Sequence, residues 1–395
     1  MNLDKIEKIE DLLIFDKNKK IIEHKIKRLT APGENYGSLM LSVDIMLKNS
    51  QGTEEINVVA KMVPPNEFIQ EIFNTPVTFR NEIGFYKNIV PVLQNFQREH
   101  GVDKVIDFFS KYYGSRLNLK NNNDKVDADA ALLLENLKVQ NFVNLERTEG
   151  FDLDVAKLVL TDLAYLHAVP LALKLQKPEV FEKKIQPYLS PWSVKEKMYE
   201  NIKKYLYPIT DNLQELKPFL ERLHKSLEKL VLVQPPREPF ATIIHNDCWV
   251  NNTMIKLEDG KPIKNKLVDF QICDYGSPAK DIVFFLFTSV KTEVIKQHYD
   301  GLIQFYYKVF TSILLELKCD IAQFSFEAFE KELDYEAKHS QFGHILFMLY
   351  PIFAPKGSVK EINELNPNSM SMEPTPSYIE KLIFVVKEFA KRNWI

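Results

Sequence analysis

Cysteine is scarce. The chain has three in 395 residues, Cys248, Cys273 and Cys319, and no Cys-x-x-Cys spacing. That argues against a disulfide framework and against a structural zinc site. Positive charge is not in excess either. Lys and Arg number 51 against 54 Asp and Glu, a net charge of −3, so no basic surface points to nucleic acid as a partner. Residues 1–8 carry no apolar signal core, and the apolar run at 282–287 is far too short to cross a bilayer. The expectation is a cytoplasmic protein with no membrane partner. Internal repeats and low-complexity tracts are also missing. What remains is an ordinary globular composition, 45% hydrophobic and 27% charged, long enough for two lobes with a core each.

The most informative stretch is 241–271. An apolar strand at Ile243 and Ile244 runs into His245-Asn-Asp247-Cys-Trp-Val-Asn-Asn252, and a second, at Leu267 and Val268, ends in Asp269-Phe-Gln271. Residues 254–260 between them read as a strand and a turn. The unit is therefore a hairpin that presents Asp247, Asn252 and Asp269 at one end. Two carboxylates and an amide suit a hard cation together with phosphate oxygens, because Mg²⁺ takes oxygen ligands and keeps several waters. The second carboxylate can take a proton from an attacking hydroxyl. An Asp, four residues, an Asn, and then a strand ending in Asp-Phe match the catalytic core of the kinase fold.

His-x-Asp-x-x-x-x-Asn followed by Asp-Phe-Gln, not Asp-Phe-Gly, resembles the choline kinase and aminoglycoside phosphotransferase branch of that fold. More narrowly, His245-Asn-Asp-Cys-Trp-Val-Asn-Asn252 resembles the insect ecdysteroid kinase-like family, which usually has Gly where this chain has Asn246. Asn tolerates left-handed backbone better than most residues. The resemblance extends over about residues 20–390. It implies an α+β, two-lobed protein-kinase-like fold. A small antiparallel-sheet lobe with one main helix (1–137) would bind nucleotide, and a larger, mainly helical lobe (138–395) would hold the catalytic and acceptor sites.

Three strands are expected in the first lobe, at 21–29, 39–48 and 56–63. The turn after the first, with Gly33, Asn35 and Ser38, is where the resemblance places the phosphate-covering loop. Lys61 stands among apolar residues on the third strand, where a charge is costly unless paired. A helix over 78–90 puts Phe79, Glu82 and Tyr86 on one face. Glu82 needs a cation there, and Lys61 is the natural one. Strands at 111–119 and 130–134 follow, the second ending in Glu135-Asn136-Leu137, the implied adenine-binding hinge. Asp152 or Asp154 caps a helix through His167, which reads as a buried structural histidine. Residues 170–240 read as helices broken by Pro187, Pro191 and Pro208, part of the acceptor pocket by resemblance. Ser277-Pro278 starts another helix, with Asp274 in the loop before it; the resemblance implies that Asp281 in its first turn steadies the catalytic loop. Amphipathic helices at 291–350 and 378–389 complete the chain, with a loop at 366–377.

The resemblance implies ATP and Mg²⁺ as cofactors. Lys61 would hold the α- and β-phosphates and Glu82 would orient it. Asn252 and Asp269 would bind metal, and Asp247 would receive the proton of the acceptor hydroxyl. The acceptor expected is a small-molecule alcohol, bulky and largely apolar, with an ecdysteroid first. Cys248, Trp249, Phe305, Tyr306, Tyr307, Phe342 and Phe347 are the candidates for its pocket. A protein kinase is disfavoured, because Asp-Phe-Gln replaces Asp-Phe-Gly and no Ala-Pro-Glu follows. A choline-type kinase and a non-catalytic binding protein are the alternatives.

Overall fold

The computed structural model describes residues 5–14, 19–29, 38–120, 124–191, 193–355 and 373–395. The first half-lobe is a five-stranded antiparallel sheet. β1 (Lys20–Arg28), β2 (Leu39–Asn49) and β3 (Gly52–Met62) form a meander. α1 (Glu67–Ile72), α2 (Thr75–Gly84) and α3 (Val90–Glu99) follow, and β4 (Tyr112–Arg116) and β5 (Ala131–Glu135) complete the sheet in the order β1-β2-β3-β5-β4. Strict alternation along β2 puts Leu41, Val43, Ile45 and Leu47 on one fully buried face. Ile6, Ile9 and Leu12 cover that face. The other face takes the helices.

The helix expected over 78–90 is longer than its periodicity suggested. α2 and α3 are joined through one π-turn, Phe85–Ile89, so a continuous rod runs from Thr75 to Glu99. Two Asn-rich or Pro-containing boundaries hid its ends: Asn74 in left-handed backbone precedes it, and Pro91 sits inside it without stopping it.

The larger part of the chain is helical. After β6 (Phe142–Val143) come α4 (Leu153–Gln176), α5 (Pro178–Lys184), α6 (Glu196–Asn212) and α7 (Leu220–Leu227). Then β7 (Thr242–Ile244), β8 (Thr253–Glu258), β9 (Lys261–Leu267) and β10 (Asp274–Gly276) carry the polar motif. α8 (Pro278–Ser289), α9 (Thr292–Glu316), α10 (Phe326–Glu336), α11 (Phe342–Phe353) and α12 (Pro376–Lys391) close the chain. The expected caps are present. Asp152 accepts from Val155 N (2.9 Å) and Ser277 from Ala279 N (3.3 Å), with Pro278 at N1.

Three expectations change here: Pro208, expected to break a helix, lies inside α6 without ending it, and two others follow. α4 does not stop near His167 but runs on through Pro170 to Gln176. Pro170 removes one ladder hydrogen bond, and the loss is offset because the helix around it is buried, Leu166 to Ala172 being 0% exposed at every apolar position. By length and composition α4 could cross a membrane, but here it packs against α9 and β7 in the core. Asp274 belongs not to a loop but to β10, which pairs antiparallel with β7. Every residue of α8 is buried, so it is the central helix of this lobe.

The β8–β9 hairpin is held from three sides. β6 pairs with β8, Leu267 N donates to Phe108 O (2.6 Å), and Asn265 Nδ2 donates to Asp162 Oδ2 on α4 (2.9 Å). Burial pushes the Asp162 carboxyl from 3.8 up to about 7, against the pull of Asn265. The folded state therefore keeps that proton to higher pH than the unfolded chain, and its contribution to stability falls as pH rises from 3.8 towards about 7. Asp162→Asn should remove this slope. Melting followed by circular dichroism at pH 5 and pH 8 should show the wild type losing more stability than the variant over that interval. Parallel losses would rule the account out.

Candidate active site

Each site residue is delivered by a different element. Lys61 is on β3 and 3% exposed, and Glu82 is on α2 and 1% exposed. They meet at 2.7 Å between Nζ and Oε2. The same ammonium lies 2.7 Å from Asp269 Oδ1, so one cation bridges the sheet, the helix and the loop after β9. Burial opposes the charge on Lys61, but Asp269 and Glu82 outweigh it and hold its pKa above the usual lysine value. Burial also raises Glu82, against Lys61. Two carboxylates and one lysine in a closed space favour keeping the lysine charged.

Asp247 and Asn252 sit side by side at the other end of the motif. Asn252 Nδ2 donates to both the carbonyl and Oδ2 of Asp247, each at 2.9 Å. Burial, with Asp269 behind it, pushes Asp247 well above the ordinary carboxylate range, while Asn252 and Trp249 oppose the shift. A carboxylate with a raised pKa and a fixed orientation is suited to receive a proton. The open end of the hairpin is closed by Val268 N donating to Asn252 O (3.0 Å), which keeps Asn252 next to the turn into Asp269.

Two backbone positions make this geometry. Asn246 (φ 64°) and Asp269 (φ 67°) both lie in the left-handed region, which Asn and Asp tolerate better than most residues. Asn here therefore does the conformational work that Gly would do. The turn at Asn246 is fixed from below by Asp281 at the start of α8. Its carboxylate accepts from His245 N (2.6 Å), Asn246 N (2.8 Å) and His167 Nε2 (3.0 Å). Burial would raise Asp281, but His167 and His245 hold it below the usual carboxylate range. His167 Nδ1 in turn meets the Tyr306 hydroxyl at 2.7 Å. His167 therefore links Asp281 on one side of its ring to Tyr306 on the other. His245 Nε2 donates to Val268 O (3.0 Å) and ties the two loops together. His167 and His245 thus tie the loop at Asn246 to α4, α8 and the end of β9.

Phe270 fastens the site to the helical rod. Its ring stacks on Phe85 at 3.9 Å and 8°, and meets Tyr86 edge-on at 5.7 Å. Aromatic pairs of this kind contribute about 0.5–1.5 kcal/mol beyond their buried area. The rod that carries Glu82 and the loop that carries Asp269 are therefore packed as one unit.

The segment expected to form the hinge, Glu135 to Leu137, follows β5. Glu135 N donates to Lys111 O (2.8 Å) and Asn136 N to Asn57 O (3.1 Å). Of these three amides, only that of Leu137 has no backbone partner among the described residues. The Glu135 side chain is turned to Gln140 and Lys111. Ser38 opens β2 and is 4% exposed, while Gly33 and Asn35 lie outside the described residues.

The donor set fits Mg²⁺. Asn252 commits its amide nitrogen to Asp247, which leaves its carbonyl oxygen as the side-chain atom that could serve a cation. Oxygen donors from one carboxylate and one amide, completed by phosphates and water, are what this ion takes. Among the described residues no group of three or more His, Cys, Asp or Glu is placed to hold a metal ion.

The aromatic candidates divide. Tyr306 and Phe342 are core residues, 0% and 1% exposed, and the Tyr306 hydroxyl is used by His167, so neither can line a pocket. Cys248 is sealed at 0%. Tyr307 and Phe305 are half-buried, and the Tyr307 hydroxyl donates to Phe324 O (2.8 Å). Phe347 lines an apolar cleft with Tyr205, Leu346 and Tyr350 between α6 and α11. That cleft joins residues far apart in sequence, and no local pattern marks it.

Few folds bring a strand lysine, a helix glutamate and two loop carboxylates to one point. The protein-kinase-like fold does, and this chain has it. It belongs to the ecdysteroid kinase-like family, whose model matches residues 32–319. No curated protein sequence matches it. Among solved structures it is similar to a Plasmodium vivax ethanolamine kinase, at 11% identity over 94% of this chain and 84% of that one, with a TM-score of 0.40. It is also similar to a spectinomycin phosphotransferase solved with ADP and spectinomycin, at 12% identity over 99% and 98%, TM-score 0.44. A GDP complex of aminoglycoside 2'-phosphotransferase-IIIa matches at 12% over 76% and 92%, TM-score 0.39. Likenesses this distant bear on neither substrate nor site.

Proposed function

We propose that the protein transfers the γ-phosphoryl group of ATP to a hydroxyl of a small-molecule acceptor. The observation that carries this is the single ammonium of Lys61 held at 2.7 Å from both Glu82 and Asp269. Glu82 keeps Lys61 charged and aimed, so that it can receive phosphate oxygens. The Leu137 amide binds the edge of the purine. Asn252 and Asp269 would hold Mg²⁺, which when bound supplies charge stabilisation to the phosphates. Asp247 orients the acceptor hydroxyl and takes its proton as the acceptor oxygen bonds to the γ-phosphorus. The bond from that phosphorus to the bridging β–γ oxygen breaks, and ADP leaves.

The acceptor is a bulky, largely apolar alcohol, with an ecdysteroid as the leading candidate. The family's name supports that reading. The test supplies ATP and Mg²⁺ with separate panels of ecdysteroids, choline or ethanolamine, and aminoglycosides, read by mass spectrometry. A phosphate ester on a steroid hydroxyl is expected. Phosphocholine with no steroid product would replace the acceptor and keep the kinase. No product from any panel or from a metabolite extract, with a folded protein that binds ATP, would favour a non-catalytic binder.

A further inference from the structure

The Lys61–Glu82 contact depends on where α2 sits, and one face of α2 is occupied by a residue from the other lobe. Gly84 follows Glu82 by two positions, about 200° around the helix, so it points away from Lys61. The ring of Tyr188 lies directly on that glycine. A Cβ built on Gly84 would fall 2.1 Å from Tyr188 Cδ1 and 2.9 Å from its Cβ. No side chain larger than hydrogen fits between them.

Tyr188 is well supported. It stands on a one-turn helix, Gln186–Tyr188, that follows α5. On either side Ile185 and Leu189 are buried in the core of the larger lobe, at 0% and 8% exposed. Next along, Ser190 N donates to Cys273 O (3.4 Å), four residues beyond Asp269. Lys195 Nζ then reaches Glu71 O at the end of α1 (2.7 Å). Tyr188, Ser190 and Lys195 thus touch α2, the segment leaving Asp269 and α1 in turn.

We infer that Tyr188 is a positioning residue: it backs α2 and sets the distance from Glu82 to Lys61. A helix with a lysine in front and a tyrosine behind has one favourable place to sit. Without the tyrosine α2 can move away from the sheet, and Lys61 is left to Asp269 alone. This inference rests on the proposed nucleotide site for its functional reading, though not for its structural one.

The test uses the full chain and four variants. Tyr188→Ala should weaken Mg-ADP binding, measured by calorimetric titration, by about tenfold, the scale of a typical coupling between sites. Tyr188→Phe keeps the ring and should bind as the wild type does. Gly84→Ala should imitate Tyr188→Ala, because its methyl displaces the ring. The double variant Gly84→Ala/Tyr188→Ala should be no weaker than Tyr188→Ala alone, since the collision is gone. Amide hydrogen exchange across Thr75–Gly84, measured without nucleotide, should rise in Tyr188→Ala and stay at the wild-type level in Tyr188→Phe. If the wild type does not bind Mg-ADP, the nucleotide reading fails and the exchange result still decides the role of Tyr188. Unchanged exchange in Tyr188→Ala, or losses in the two single variants that add in the double one, would overturn the inference.

Discussion

Asp269→Asn should reduce phosphate transfer from ATP by about a hundred- to a thousandfold, the usual effect of removing one placed charge from such a site. Asn is the right replacement because the backbone there is left-handed, at φ 67°, and Asn tolerates this where Ala would be strained. The fold should survive, since Lys61 keeps Glu82 as its partner at 2.7 Å. What is lost is the carboxylate that faces both the ammonium and the place for Mg²⁺. Initial rates with ATP and the best acceptor, taken beside a melting curve, are the measurement. Wild-type rates from a folded Asp269→Asn protein would remove Asp269 from the chemistry.

Asp281→Ala should act on stability more than any other single change in the lobe. Its carboxylate accepts from the buried His245 amide, the part-buried Asn246 amide and His167. Removing one member of a buried, hydrogen-bonded charge cluster costs about 3–5 kcal/mol. The loss should appear in urea denaturation at pH 7. Because Asp281 titrates below its ordinary value in the folded state, its contribution is complete above 3.8 and disappears as pH falls through its folded value. Wild type and variant should therefore converge only in strong acid. A loss below about 1 kcal/mol at pH 7, the worth of an ordinary hydrogen bond, would mean that the turn at Asn246 holds itself.

Much of the site was legible because its chemistry is local. Asp247 and Asn252 are five residues apart, and a strand ending in Asp269-Phe270 announces a second carboxylate. Lys61 and Glu82 were readable from cost alone: each is a charge on an apolar face, and each needed the other. The third partner, Asp269, was placed in the site but not on the lysine, because nothing in either segment encodes the distance between them. Tyr306 misled for a physical reason. An aromatic on an amphipathic helix reads the same whether its hydroxyl meets a ligand or a buried histidine. The full length of α4 was not legible, since local rules count the hydrogen bond lost at Pro170 and not the packing that offsets it. The contact of Tyr188 with Gly84 spans about a hundred positions and leaves no periodic trace.

The π-turn at Phe85–Ile89 has a meaning for the whole molecule. A wider turn takes up one residue more than a regular helix would, so the two parts of the rod are out of phase by about 100°. The first part can point Glu82 at the sheet and Phe85 at Phe270, while the second turns Leu93 and Phe96 towards the larger core. A regular helix of the same sequence would satisfy one of these directions and spoil the other. The extra residue works as a key cut between two locks, letting one rigid piece serve both the chemistry and the scaffold.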